Sequence, residues 1–149
     1  MEVFADADYA SKAADRSSVS GGLVMCGGGC ISWFSRTQKC VTLSRTEAEY
    51  VSLAGVSFLR QVRRFMLPEA GRPCIPVFED NQGAIQLAQN PISNCNSKHI
   101  DVRHHFIRGL VGRKKISIIH VESAYQHAAF LTKALHFEDF EFNRNFVQY

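Results

Sequence analysis

A run of three glycines, Gly27-Gly28-Gly29, constrains the fold of this chain more than any other feature. The run separates two β-prone stretches, residues 19–25 and residues 30–36. Glycine adopts the left-handed backbone conformations that the tightest hairpin turns require. The sequence therefore predicts an antiparallel hairpin here, and residues 2–6 predict a further short strand before it.

Helix and strand patterns alternate after the hairpin. Ser44 and Glu47 have the spacing of a capping box, which predicts the start of a long helix. Later segments predict, in order, a strand at 75–78, a helix opening at Asp80-Asn81, a helix at 100–111, a strand at 116–121, a helix at 124–135 and a last amphipathic segment. Three meandering strands followed by helix-separated strands indicate an α/β domain with a mixed sheet and helices on its faces.

Length and composition favour one domain over residues 1–149, with a core at about 2–135 and a helical tail at 136–149. The chain has 149 residues, of which 46% are hydrophobic, enough for a single buried core. The five cysteines are scattered and odd in number, so we expect free thiols rather than a zinc site. Signal-peptide features and membrane-length apolar runs do not occur, which predicts an intracellular location without membrane contact.

Three acidic residues stand at positions where carboxylates are costly to bury. Asp6 and Asp80 end predicted strands, and Glu49 lies near the start of the long helix. If these ends are adjacent, the like charges require cations, and oxygen ligands of this type suit Mg²⁺ or Mn²⁺. The alternative is purely local: Asp80 as a helix cap and Glu49 as a first-turn acid favoured by the helix dipole. Glu47 is interpreted only as the capping-box partner.

Six motifs carry a family resemblance, in this order along the chain: FADADYA at 4–10, ISW at 31–33, LSRTEAEY at 43–50, EDNQGAI at 79–85, KHIDVRHHFIR at 98–108 and HAAFLTKAL at 127–135. Together they resemble the ribonuclease H region of copia-type retrotransposon polyproteins, over about Val3 to Leu135. The resemblance implies the ribonuclease H-like fold: a five-stranded mixed sheet of order 3-2-1-4-5, flanked by helices.

The resemblance also implies an activity, which is cleavage of the RNA strand of RNA–DNA hybrids by two-metal-ion hydrolysis. By motif position, it assigns Mg²⁺ binding (Mn²⁺ being a possible substitute) and catalysis to Asp6, Glu49 and Asp80. Asp8 is a less suitable ligand because it is expected to lie past the strand end. The implied partners are the hybrid and an adjacent reverse transcriptase domain. The implied location is the cytoplasm or virus-like particles.

Two departures from the family pattern predict an impaired enzyme. Ala129 stands where the family motif places a fourth metal-binding aspartate. The long helix is also short by about four residues, one helical turn, after Glu49. Glu122 or His127 is an alternative source of a replacement ligand. The alternative function is a catalytically inactive module that binds nucleic acid or another protein.

Other side chains give weaker predictions. Five basic residues are candidates for phosphate contacts, with ordinary surface charge as the alternative: Arg16, Arg36, Lys39, Lys98 and Arg103. Three histidines are interpreted as surface or packing groups rather than zinc ligands: His99, His104 and His105. Trp33 is expected in the core. The phenylalanines of the C-terminal tail are expected to dock onto the domain.

Overall fold

The computed structural model describes residues 1–55, 74–90 and 106–148. Within these ranges the chain forms a five-stranded sheet of order β3-β2-β1-β4-β5. The strands are β1 (Glu2–Asp8), β2 (Val19–Cys26), β3 (Gly29–Thr37), β4 (Ile75–Glu79) and β5 (Ile116–His120). The first three pair antiparallel, and β4 pairs parallel with both β1 and β5. The predicted mixed sheet and its strand order are confirmed.

The hairpin between β2 and β3 forms at the glycine run. Gly27 and Gly28 make the turn with φ angles of 60° and 81°, in the region that favours glycine. Gly29 already belongs to β3, where it pairs with Cys26. The turn is therefore a two-residue loop, one residue shorter than the glycine run.

The predicted helix starts are confirmed by their capping contacts. Helix α1 (Arg45–Gly55) follows Ser44, whose Oγ accepts the backbone N–H of Glu47 at 3.1 Å. The Glu47 carboxylate accepts the N–H of Leu43 at 2.7 Å. Helix α2 (Gln82–Gln89) is capped by Asn81, whose side chain accepts the N–H of Ala84 at 2.9 Å. Asp80 is therefore not the cap of this helix.

Apolar side chains form a core on each face of the sheet. On one face Val3, Ala5 and Val77 pack with apolar residues of α1 and α2. On the other, Phe4 and Leu23 pack with Ala128 and with the last turn of the C-terminal helix α3 (Phe137–Val147). Residues 106–112 are also helical, as the sequence predicted. The alternating side chains of β1 thus hold helices on both faces.

The prediction of a helix at 124–135 is wrong. This segment instead contains two 3₁₀ turns, Ser123–Tyr125 and Ala129–Leu131. Between them Gln126 is buried, and its Nε2 donates to the carbonyls of Ala5 at 2.8 Å and Phe78 at 3.2 Å. These bonds to two strands tie the segment to the sheet, and a regular helix would not hold that side chain in place.

Two predictions about aromatic residues also need correction. Trp33 is 64% exposed rather than buried, because β3 is the edge strand and its buried aromatic residue is the neighbouring Phe34. The phenylalanines of α3 dock only in part: Phe146 packs edge-on against Phe4 and Phe142 lies 5.4 Å from the ring of His127, whereas Phe137 is 76% exposed.

Several predictions concern parts of the chain outside the described residues. These are the shortened region after α1, the three histidines at 99, 104 and 105, and the candidate phosphate contacts Lys98 and Arg103. The described cysteines are free, as expected: Cys26, Cys30, Cys40 and Cys74. Among the helices of the described ranges, none has both the length and the apolar character needed to cross a membrane.

Candidate metal centre

Three carboxylates meet at one end of the parallel strand pair β1–β4. Phe4 pairs with Phe78, so continuing the register past the end of β4 brings Asp80 alongside Asp6. Glu49 approaches from α1. One oxygen of each of these three side chains lies within 4.8 Å of the other two. The predicted convergence of Asp6, Glu49 and Asp80 is therefore present in the fold.

A serine fixes the position of α1 above the strands. The hydroxyl of Ser52 donates to the backbone oxygen of Asp6 at 2.6 Å and lies 3.2 Å from that of Gly21. Ser52 and Glu49 are three residues apart, so they share a face of the helix. The bond that joins α1 to β1 and β2 thus also directs Glu49 toward Asp6.

The oxygens of the cluster divide into bonded and unbonded atoms. Asp6 Oδ2 accepts the Thr132 hydroxyl at 2.6 Å and lies 3.5 Å from the Lys133 ammonium. Asp80 Oδ2 accepts the Ser123 hydroxyl at 2.8 Å. Asp6 Oδ1, Asp80 Oδ1 and both oxygens of Glu49 are buried without a hydrogen-bond partner among the described residues.

Unbonded buried carboxylate oxygens cost free energy unless a cation neutralises them. Here the unbonded atoms belong to the three side chains that converge. They are hard oxygen donors of the kind that Mg²⁺ and Mn²⁺ prefer. The residues present therefore fit a divalent cation.

The charges of the cluster alter its proton affinities. Burial raises the pKa of Glu49 to about 9, and repulsion from Asp6 and Asp80 adds to the rise. Burial also raises the pKa of Asp6, although the Lys133 ammonium and the Thr132 hydroxyl oppose the shift. Without a cation, the site therefore favours protonated Glu49 at neutral pH.

Glu79 is a buried acid that the sequence interpretation missed. It shares the inward face of β4 with Ile75 and Val77, and its side chain is fully buried. Oε1 accepts the N–H of Asn81 at 3.0 Å, while Oε2 has no hydrogen-bond partner in the described ranges. Burial and the charge of Glu49 raise its pKa well above the usual value. Strand alternation from Val77 could have placed this acid on the core face.

The segment after β5 lines the cluster but adds no carboxylate at position 129. Ala129 is buried, and its carbonyl oxygen lies 3.0 Å from the Thr132 hydroxyl, whose shorter bond is to Asp6. His127 stacks on Phe146 with ring centroids 3.6 Å apart, and its Nδ1 lies 2.8 Å from Asn143 Oδ1. In the described ranges, the potential metal-ligand group contains neither His127 nor Glu122.

Asp8 and the basic residues lie outside the cluster. Asp8 belongs to β1 rather than lying past its end, so the predicted strand boundary was two residues short. The described candidates for phosphate contacts are all exposed: Arg16, Arg36 and Lys39. Arg36 lies 5.3 Å above the ring of Phe34.

Similarity to known proteins agrees with this geometry. No family model matches the chain. It is 37% identical over 150 residues, or 99% of its length, to the retrovirus-related Pol polyprotein of transposon TNT 1-94 from Nicotiana tabacum. It is 39% identical over 91% of its length to the corresponding polyprotein of transposon RE1 from Arabidopsis thaliana. The chain spans about a tenth of these relatives, 11% and 9%.

Solved structures share the fold. The crystal structure of LC11-RNase H1 with an RNA/DNA hybrid aligns with 88% of this chain and 92% of that chain, at a TM-score of 0.63 and 12% identity. The chain is a ribonuclease H-fold relative of copia-type Pol polyproteins. The prototype foamy virus protease–reverse transcriptase aligns with 98% of this chain and 20% of that chain, at a TM-score of 0.55 and 13% identity. At these identities the structural likeness establishes the fold alone.

In this ribonuclease H-fold domain, Ala129 begins the second 3₁₀ turn, on one side of the cluster. Its turn also carries Thr132 and Lys133, which both reach Asp6 Oδ2. The site therefore combines three converging carboxylates with an alanine and a lysine on the neighbouring turn.

Proposed function

We propose that this domain binds RNA–DNA hybrids and hydrolyses their RNA strand, with an activity that Ala129 makes weak. The observation that carries the proposal is the buried convergence of Asp6, Glu49 and Asp80, with unbonded oxygens on all three side chains. The names of the relatives support it, since they are Pol polyproteins, and one structural neighbour holds an RNA/DNA hybrid. An adjacent reverse transcriptase domain is the proposed neighbour.

The proposed roles divide between ligands and supports. Asp6, Glu49 and Asp80 would hold Mg²⁺ or Mn²⁺. A divalent ion bound there supplies the activation of a water and the stabilisation of the leaving phosphodiester oxygen. Thr132 orients Asp6 through a 2.6 Å hydrogen bond, and Ser123 orients Asp80. Such supports keep the remaining carboxylate oxygens directed at one point.

The proposed contacts to the hybrid are electrostatic. Arg16, Arg36 and Lys39 are exposed and available to phosphates, and Lys98 and Arg103 are the further candidates from the sequence. Phosphate contacts give affinity without sequence preference, and a hybrid is distinguished by groove shape and 2′-hydroxyl groups. We therefore expect binding that weakens steeply with salt.

A second candidate function is favoured by Ala129. An alanine at that position removes a ligand without disturbing the fold, which suits a module that binds nucleic acid without cutting it. Hydrolysis and binding are separable because the basic residues do not belong to the carboxylate cluster.

The test is cleavage of a labelled RNA–DNA hybrid in Mg²⁺ and in Mn²⁺ by this chain and by its Ala129→Asp variant. The proposal expects slow cleavage by the chain and a rate about 100-fold or more higher for Ala129→Asp. Asp6→Asn should lower both cleavage rates about 100-fold or more. Binding of the hybrid without cleavage by either protein would favour the second candidate. Fast cleavage by the unmodified chain would contradict the assigned effect of Ala129.

A further inference from the structure

Gln126 is a buried amide that joins strands β1 and β4. It is 1% exposed, and its Nε2 donates to the carbonyl of Ala5 at 2.8 Å and to that of Phe78 at 3.2 Å. An amide nitrogen carries two hydrogens, so both bonds can form at once. The other amide atom, Oε1, accepts the N–H of Ala128 at 3.4 Å, which agrees with this orientation of the amide. One side chain therefore bridges the backbones of two strands.

The bridge lies where the direct pairing of these strands ends. Among the described residues, the parallel pairing of β1 with β4 ends at Phe4 and Phe78. Beyond this pair the amide of Gln126 links the two backbones instead. Asp6 lies two residues after Phe4, and Asp80 lies two residues after Phe78. The distance between the two aspartates therefore depends on a side-chain bridge.

The segment around Gln126 also holds the aspartate side chains. Ser123, three residues before Gln126, donates to Asp80 Oδ2 at 2.8 Å. Thr132, six residues after it, donates to Asp6 Oδ2 at 2.6 Å. The two hydroxyls act on the carboxylates, whereas the amide acts on the strand backbones that carry them. One segment thus fixes both the orientation and the spacing of two proposed metal ligands.

We propose that Gln126 is a positioning residue of the metal centre, which sets the distance between Asp6 and Asp80 and thereby raises the affinity for Mg²⁺ relative to Ca²⁺. Mg²⁺ requires oxygen ligands at about 2.0–2.1 Å in near-ideal octahedral geometry, whereas Ca²⁺ accepts about 2.3–2.6 Å and irregular geometry. A rigid link between the strands favours the smaller ion, and loosening the link removes that advantage. The inference rests on the proposed function for the presence of a divalent ion at the cluster.

The experiment measures the binding of divalent ions to the full chain at pH 8. Free Mn²⁺ is followed by electron paramagnetic resonance, and displacement of bound Mn²⁺ gives the affinities for Mg²⁺ and Ca²⁺. Gln126→Met keeps the length of the side chain and removes its amide. The affinity for Mg²⁺ should fall about tenfold, as for other groups that orient metal ligands. The affinity for Ca²⁺ should fall less than about threefold, because Ca²⁺ tolerates the looser geometry.

Two control variants separate positioning from a general loss of stability. Gln86→Met removes an exposed amide on α2 and should leave each affinity within about twofold. Ile116→Ala removes buried atoms at the amino end of β5, whereas the cluster lies at the carboxyl ends of the parallel strands. This variant should lower the free energy of unfolding but leave the ratio of Mg²⁺ to Ca²⁺ affinity within about twofold. A merely structural role of Gln126 would leave the ratio unchanged in the same way.

The outcomes also distinguish this inference from the proposed hydrolysis. An unchanged ratio in Gln126→Met, or an equal shift in Ile116→Ala, would overturn the role of Gln126 even if Ala129→Asp cuts the hybrid. No Mn²⁺ binding by the unmodified chain would overturn both proposals. A ratio shifted toward Ca²⁺, with no cleavage by Ala129→Asp, would overturn only the hydrolysis. If Gln126→Met does not fold, Gln126→Asn carries an amide one methylene too short to reach both carbonyls, and its ratio decides in the same way.

Discussion

The acid-bearing elements and the segment that supports them are built differently. Asp6, Glu49 and Asp80 lie in or directly after regular elements with local start and stop signals: β1, the capping box of α1, and the end of β4. Residues 122–136 form two 3₁₀ turns held by side-chain bonds to distant strands. Regular elements therefore bring the charges together, while an irregular segment decides which of their oxygens stay free.

The largest expected difference between the two regions is in catalysis. In the Ala129→Asp background, Asp6→Asn removes a proposed ligand and should lower hybrid cleavage about 100-fold or more. Thr132→Val removes only the hydroxyl that orients Asp6 and should cost roughly tenfold. Steady-state cleavage rates measure both. Equal losses would show that the supporting segment matters as much as the ligands themselves.

The pH dependence of stability tests the carboxylate cluster separately from the supporting segment. The pKa of Glu49 is raised from 4.5 to about 9 in the folded state, so folding favours its protonated form. The stabilisation is full below pH about 4.5 and is lost as the pH rises toward about 9. In EDTA, the Tm should therefore fall by roughly 5 °C or more between pH 5.5 and pH 8.5.

Two controls sharpen that measurement. Mg²⁺ should flatten the decline, since a cation stabilises the ionised carboxylates. Glu49→Gln should reduce it without metal, because the amide does not titrate. A Tm that rises over this range in EDTA would contradict the assigned pKa direction.

The contribution of residues 122–136 to stability can be measured by removing the side-chain amide of Gln126. Gln126→Met keeps the length of the side chain but leaves the carbonyls of Ala5 and Phe78 without their donor. The free energy of unfolding should drop by about 2 kcal/mol, measured by urea denaturation. Gln86→Met on the exposed side of α2 is the matched control and should change it by less than about 0.5 kcal/mol. A loss in Gln126→Met no larger than in the control would mean that the amide does not hold the segment.

The same contrast explains what the sequence could and could not predict. The glycine turn, the capping box and the strand order depended on local patterns and on the family motifs, and these were confirmed. The prediction of a helix at 124–135 was wrong because tertiary hydrogen bonds, such as those of Gln126, override the local preference of this segment for a helix. Glu79 was missed because a buried acid beside an acidic cluster is unfavourable locally, and only the β4 alternation indicates it.

The smallest expected effect concerns the edge strand. Trp33 was expected in the core because large aromatic residues usually bury their surface, yet β3 leaves it 64% exposed. Trp33→Ser should therefore change the free energy of unfolding by no more than about 0.5 kcal/mol. Phe34→Ala, one residue further and buried against Gly22 and Gly55, should cost about 3 kcal/mol. If urea denaturation shows that Trp33→Ser and Phe34→Ala lower the free energy of unfolding by similar amounts, then the Trp33 side chain packs against the protein in solution. The edge strand would then be more covered than the alternation of buried and exposed residues along β3 indicates.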